Sequence, residues 1–204
     1  MILEACVDSL AAAVNAEKSG AHRLELCADL QHDGLSPSFD MIRQVQQGVN
    51  IPIKVMVRPR KGNFVYSNDE IDEMIAFSKK CYHMGITSIV TGMLTEKNEI
   101  HLPHLERLAS SIPEMDITFH KAIDLTTDPI NEIKKILHIS NVKSILTSGK
   151  AITAAEGKNL IKEMMSIFYP RLTIIAAGKI TYENIHALHK SLNGTDYHGK
   201  KIVG

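Results

Sequence analysis

The chain has 204 residues, is 44% apolar and carries 23 basic against 23 acidic side chains, giving a formal net charge of zero. That length supports one sizeable core, read as a single domain over 1–204, and the lack of any Lys/Arg stripe sets aside a nucleic-acid partner. No stretch approaches the ~20 apolar residues of a membrane span, the start Met1-Ile2-Leu3-Glu4 has no signal-peptide character, and three cysteines lack a disulfide-framework spacing; a cytoplasmic protein with free thiols is expected.

Short β-branched runs alternate along the chain with longer segments of helical period. A strand over 2–6 precedes a helix over 9–19, a strand over 23–27 a helix over 38–47, and a strand over 53–57 a helix over 68–84. The pattern continues with strands over 88–91, 117–120, 144–147, 172–176 and 196–198, and helices over 102–111, 129–138, 153–167 and 181–191. Ser67 with Glu70 and Thr153 with Glu156 have capping-box spacing, and Asp128-Pro129 is an N-cap followed by proline at the first helical position.

Eight strands in strict alternation, with no linker and no Gly-rich first turn, predict a TIM-like (β/α)8 barrel in preference to an open doubly wound sheet. After the eighth strand only residues 199–204 remain, so the closing helix is expected to be short or missing. That ending leaves part of the barrel wall bare and predicts a homo-oligomer to cover it.

Active sites of such barrels lie at the C-terminal strand ends, which directs attention to the polar residues there. Residues two apart on a strand share a face, pairing Glu4 with Cys6 and Glu25 with Cys27. If they point inward, two thiols on neighbouring strands can share one soft metal ion; otherwise they pack as small apolar groups. Two glutamates beside them favour a charged site, because acids rarely enter a core without partners. Arg58 reads either as a clamp for a carboxylate or phosphate or as the neutraliser of Glu4 and Glu25. His120 and Asp124 read as an acid–base pair or as a packed histidine and a helix cap. Thr147-Ser148-Gly149 and Ala177-Gly178 offer small residues before helices, suited to an anion site or simply to tight turns. His198 closes the ring, while His101, His104, His186, His189 and Cys81 carry only weak signals.

Five ordered segments resemble the copper homeostasis protein CutC family across nearly the whole chain. They are Glu4-Ala5-Cys6-Val7-Asp8-Ser9, Arg23-Leu24-Glu25-Leu26-Cys27, Met56-Val57-Arg58-Pro59-Arg60, Thr118-Phe119-His120-Lys121-Ala122-Ile123-Asp124 and Leu146-Thr147-Ser148-Gly149. The resemblance implies a cytosolic, oligomeric β/α barrel that binds copper(I) through two cysteines, carried over here onto Cys6 and Cys27. The stretch Ala176-Ala177-Gly178-Lys179 is less glycine-rich than the family pattern, and Lys200 stands where serine is usual. Copper(I) alone gives no purpose to Glu4, Glu25, Arg58, His120 and Asp124. The alternative is therefore a barrel enzyme for a small anionic or phosphorylated metabolite, with a catalytically inert interaction module ranking last.

Overall fold

In the computed structural model, which describes residues 1–204, all eight predicted strands form, with ends shifted by no more than two residues. They are β1 (Ile2–Val7), β2 (Arg23–Leu26), β3 (Ile53–Met56), β4 (Ser88–Thr91), β5 (Asp116–Phe119), β6 (Val142–Thr147), β7 (Thr173–Ala176) and β8 (Asp196–Gly199). All pair in parallel and in chain order, and β8 returns to β1, closing the barrel.

Seven helices cover it: α1 (Leu10–Lys18), α2 (Phe39–Gly48), α3 (Asn68–His83), α4 (Leu102–Ser111), α5 (Pro129–Lys135), α6 (Lys158–Phe168) and α7 (Ile185–Leu192). The Ser67 capping box forms at the start of α3: Ser67 Oγ accepts from Glu70 N at 3.2 Å, and Glu70 Oε2 accepts from Ser67 N at 2.7 Å. Thr153 and Glu156 make the same reciprocal bonds, at 3.2 and 3.0 Å, but on a separate turn, and α6 begins only at Lys158. The reason is local contact. At Gly157 the backbone presses so closely on Ser148 that a Cβ there would stand 1.9 Å from the Ser148 carbonyl oxygen, holding the turn against the end of β6. The segment 181–184 is likewise held back from α7, because Tyr182 N bonds Lys201 O at 2.8 Å.

That last contact corrects the expectation of a bare wall. Residues 200–204 form no helix but fold back as a strap, with Ile202 buried and Val203 packed on the core. Ala5, Val7 and Tyr197 on the outer faces of β1 and β8 are 2%, 4% and 0% exposed. The stretch of wall expected to be bare is covered by the chain itself.

The strands therefore separate two environments. Their outer faces join the helices in a cluster of 49 buried residues that includes Leu24, Leu26, Val55, Ile89, Phe119 and Ile145. Their inner faces carry Glu4, Arg23, Glu25, Lys54, Thr118, Ser144, Asp196 and His198. A barrel lumen is ordinarily filled by branched apolar side chains; here much of it is ionic.

Candidate metal centre

Register decides which lumen residues meet. Closing the barrel staggers the strands, so Cys6 lies beside Glu25, and Glu4 lies between Arg23 on β2 and His198 on β8. Glu4 is fully buried and is met from three sides: by Arg23 Nε, by Lys54 Nζ at 3.1 Å and by His198 Nδ1 at 2.9 Å. Arg23 also donates to Asp196 at 2.9 Å. Lys54 donates to Thr118 Oγ1 at 2.9 Å, and Thr118 shares a 2.7 Å hydrogen bond with Ser144. Arg23, Lys54 and Asp196 were not singled out from sequence. Their signal is parity: Arg23 lies two before Glu25, Lys54 two before Met56 and Asp196 two before His198, all on inward-facing positions.

Above this network lie the sulfurs. Cys6 Sγ is 3.7 Å from Cys27 Sγ and donates to Glu25 Oε1 at 3.4 Å, while Cys27 Sγ donates to Val7 O at 3.5 Å. The two cysteines form a small buried cluster with Met56 and Val90, and Leu30 packs on it from the loop after β2. Gly34, with φ +84°, roofs the cluster; a Cβ there would stand 3.2 Å from Cys27 Sγ. Cys6, Glu25 and His198 also bring one ligand atom each to within 4.8 Å of one another. His198 Nε2 is 3.9 Å from Glu25 Oε1, and Glu25 Oε2 is buried without a partner.

Burial opposes ionisation of Glu4, yet Lys54, His198 and Arg23 outweigh it and hold its carboxyl well below the usual range. Glu25 goes the other way, raised first by burial and then by the Glu4 charge. For His198 burial opposes the imidazolium, but Glu25 and Glu4 prevail and raise its pKa. The hydrogen bond shared with Cys27, then burial and the Glu25 charge, push the Cys6 thiol well above its ordinary value. Burial therefore resists charge on Glu25 and Cys6, while Glu4 keeps its charge among its cationic partners.

The other sequence candidates form separate structures. Arg58 does not neutralise Glu4 or Glu25, which have their own partners. Its guanidinium donates to the carbonyls of His32 (2.9 Å), Gly34 (3.1 Å) and Gly62 (3.1 Å), tying two loops to the end of β3, and its Nε has no partner. His120 and Asp124 do not form the expected acid–base pair. His120 Nδ1 accepts from Ala122 N at 3.2 Å, the ring lies 4.7 Å from that of Phe64, and Nε2 is buried without a partner. Burial and then Arg58 push its pKa down to about 3.

Asp124 instead fills the predicted anion corner. Its carboxylate accepts from Thr147 Oγ1 (2.5 Å), Ser148 N and Oγ (both 2.9 Å) and Lys150 N (3.1 Å). Thr147, Ser148 and Lys150 thus form an anion nest whose occupant is the chain's own acid, while Gly149 N donates to Thr147 Oγ1. Ala177 N bonds Thr147 O, and Gly178 presses on Ser148 with room for no Cβ, which makes that corner a packing contact. Cys81 is buried on α3, its thiol pushed up to about 12 by burial.

A family model described as the CutC family matches residues 1–203. The chain belongs to the CutC family. A human copper homeostasis protein cutC homolog is 36% identical over 197 residues, covering 97% of this chain and 72% of that protein. A CutC-family protein of Pasteurella multocida is 35% identical over 198 residues, covering 97% of this chain and 81% of that one. The crystal structure of CutC from Streptococcus agalactiae superposes with a TM-score of 0.92 at 27% identity over the whole of both chains. Phosphoribosylanthranilate isomerase from Thermotoga maritima, at a TM-score of 0.60 and 10% identity over 98% of this chain and 87% of that one, shares the barrel alone. CutC membership supports a part in copper homeostasis, and no helix of the chain is long and apolar enough to cross a membrane.

Proposed function

We propose that this CutC-family protein holds copper(I) between Cys6 and Cys27 at the C-terminal end of the lumen, in the reducing setting of the cytoplasm. The observation that carries this is the 3.7 Å separation of the two buried sulfurs. With metal–sulfur bonds of about 2.3 Å, as in zinc thiolate sites, one ion can touch both sulfurs at that spacing. Soft thiolates select copper(I). All three cysteines of the chain are free, so no disulfide competes for these two. Glu25 Oε1 accepts from the Cys6 thiol, and the thiol protons leave as the ion binds.

The test is competition for copper(I) against a calibrated chelator. Cys6→Ser and Cys27→Ser should each weaken binding by more than about 100-fold, beyond the 10- to 100-fold typical of a lost outer partner, and Cys81→Ser should not change it. Equal affinity in all four proteins would remove the two-cysteine site.

A second reading, an enzyme or binder for a small anionic metabolite, is favoured by one observation. Arg58, 5% exposed, faces three carbonyls and no carboxylate, and unpartnered buried atoms of Tyr66 and His120 occur with its own. Buried charge without a counter-ion is costly and is ordinarily met by one. A thermal-shift screen of carboxylates and phosphate esters on wild type and Arg58→Met tests it. A hit that stabilises only the wild type supports the reading, and no hit among either class counts against it.

A further inference from the structure

Three sulfurs, and not two, share the upper lumen. Met56 is the inward-facing residue of β3 between Lys54, whose Nζ reaches Glu4 in the lumen, and Arg58 at the strand's end. It is 4% exposed and packs in the same four-residue cluster as Cys6, Cys27 and Val90. The glycine that roofs this cluster touches both kinds of sulfur side chain: a Cβ at Gly34 would lie 3.2 Å from Cys27 Sγ and 3.7 Å from Met56 Cε. A side chain at position 34 would meet both the Cys27 sulfur and the terminal methyl of Met56.

We infer that the Met56 thioether is the third ligand of the metal held by Cys6 and Cys27, and that it sets the preference for copper(I) over zinc(II). The inference rests on the two-cysteine copper reading. Its physical ground is that Cys6 belongs to two competing donor sets. On one side Glu25 and His198 come with it to within 4.8 Å, an oxygen–nitrogen–sulfur set that zinc accepts. On the other side stand Cys27 and Met56, an all-sulfur set that suits copper(I). One ion at Cys6 takes one side or the other, and the thioether is what the soft side adds.

Charge favours the same choice. Two thiolates around a monovalent ion already carry a net negative charge in a buried site beside Glu25. A neutral thioether completes the coordination without adding to that charge, which a third thiolate would do. The flexible methionine side chain can turn its sulfur to the ion without moving β3.

Copper K-edge absorption on selenomethionine-labelled protein reads the bond directly. The chain has nine methionines, of which only Met56 joins the cysteine cluster, so a copper–selenium shell is expected in the labelled wild type and should vanish in labelled Met56→Leu. Leucine keeps the volume and apolarity, separating ligation from packing. Chelator competition should show copper(I) binding about tenfold weaker or more in Met56→Leu, with zinc(II) affinity unchanged. Absence of the selenium shell, or equal changes for both ions, would overturn the inference. If Cys6→Ser and Cys27→Ser lose copper while Met56→Leu keeps it, the two-cysteine reading stands and this one falls. If the serine variants keep copper, both fall. Should Met56→Leu fail to fold, the labelled wild-type spectrum decides alone.

Discussion

The lower and upper halves of the lumen are built from the same strands two residues apart, yet they are satisfied to different degrees. In the lower half Glu4, Arg23, Lys54 and Asp196 meet opposite charges at hydrogen-bonding distance, and Thr118 and Ser144 complete the array. A cavity of about 140 Å³ at the N-terminal mouth is bordered by Arg23, Lys54, Thr118, Ser144 and Asp196. In the upper half the thiols make only long contacts of 3.4 to 3.7 Å and Glu25 Oε2 has no partner. Saturated polar groups hold a barrel in one register, whereas unsatisfied ones keep capacity for a ligand. The difference agrees with the proposed function, which puts architecture in the lower half and metal binding in the upper.

The strongest way to break this division is to remove Glu4. Glu4→Gln leaves Arg23 and Lys54 without their shared carboxylate and should destabilise the fold by about 3–5 kcal/mol, measured by urea unfolding. Lys54→Met should cost less in the Glu4→Gln background than in the wild type, because the two residues form one network. A loss below 1 kcal/mol for Glu4→Gln would show that the ionic half is not structural. The upper half should behave in the opposite way. Cys27→Ala should lower stability by roughly 1–2 kcal/mol, the cost of a small buried deletion, while abolishing tight copper(I) binding.

Acid titration sharpens the comparison. His120 is held neutral down to about 3, whereas in the unfolded chain it protonates near its ordinary value of about 6.5. Between those values the unfolded state binds one more proton, so stability falls with falling pH by about 1.4 kcal/mol per unit from this residue. His120→Gln should remove that slope in urea midpoints measured from pH 6.5 to 5. Glu4, whose pKa is depressed on folding, contributes stability that is present above the unfolded value of about 4.3 and is lost as pH falls through its folded value. Its loss therefore begins at lower pH than that of His120.

The last comparison concerns the metal itself. Cys6 remains a thiol at neutral pH because its pKa is raised, so copper(I) displaces its proton and apparent affinity should rise with pH, up to about tenfold per unit for each proton released. A pH-independent affinity between pH 6 and 8 would mean that Cys6 is not the ligand.

The alternation of short strands and capped helices was readable residue by residue, because strand period, capping boxes and turn glycines are local properties. Cys6 and Cys27 were readable too, as repeated Glu-x-Cys segments at two strand ends. The partnerships were not. Period two shows that Glu4 and Cys6 share a face, but it says nothing of the stagger that sets Cys6 beside Glu25 and Glu4 beside Arg23 and His198. Asp124 looked like a partner for His120 at a spacing of four, yet the chain turns it into the nest made by the Thr147 hydroxyl and the Ser148 and Lys150 amides. Local chemistry therefore determined the alternating strands and helices and the residue types that reach the lumen. Only closure decided which charges cancel and which sulfurs remain free, because it sets the height of one strand against the next.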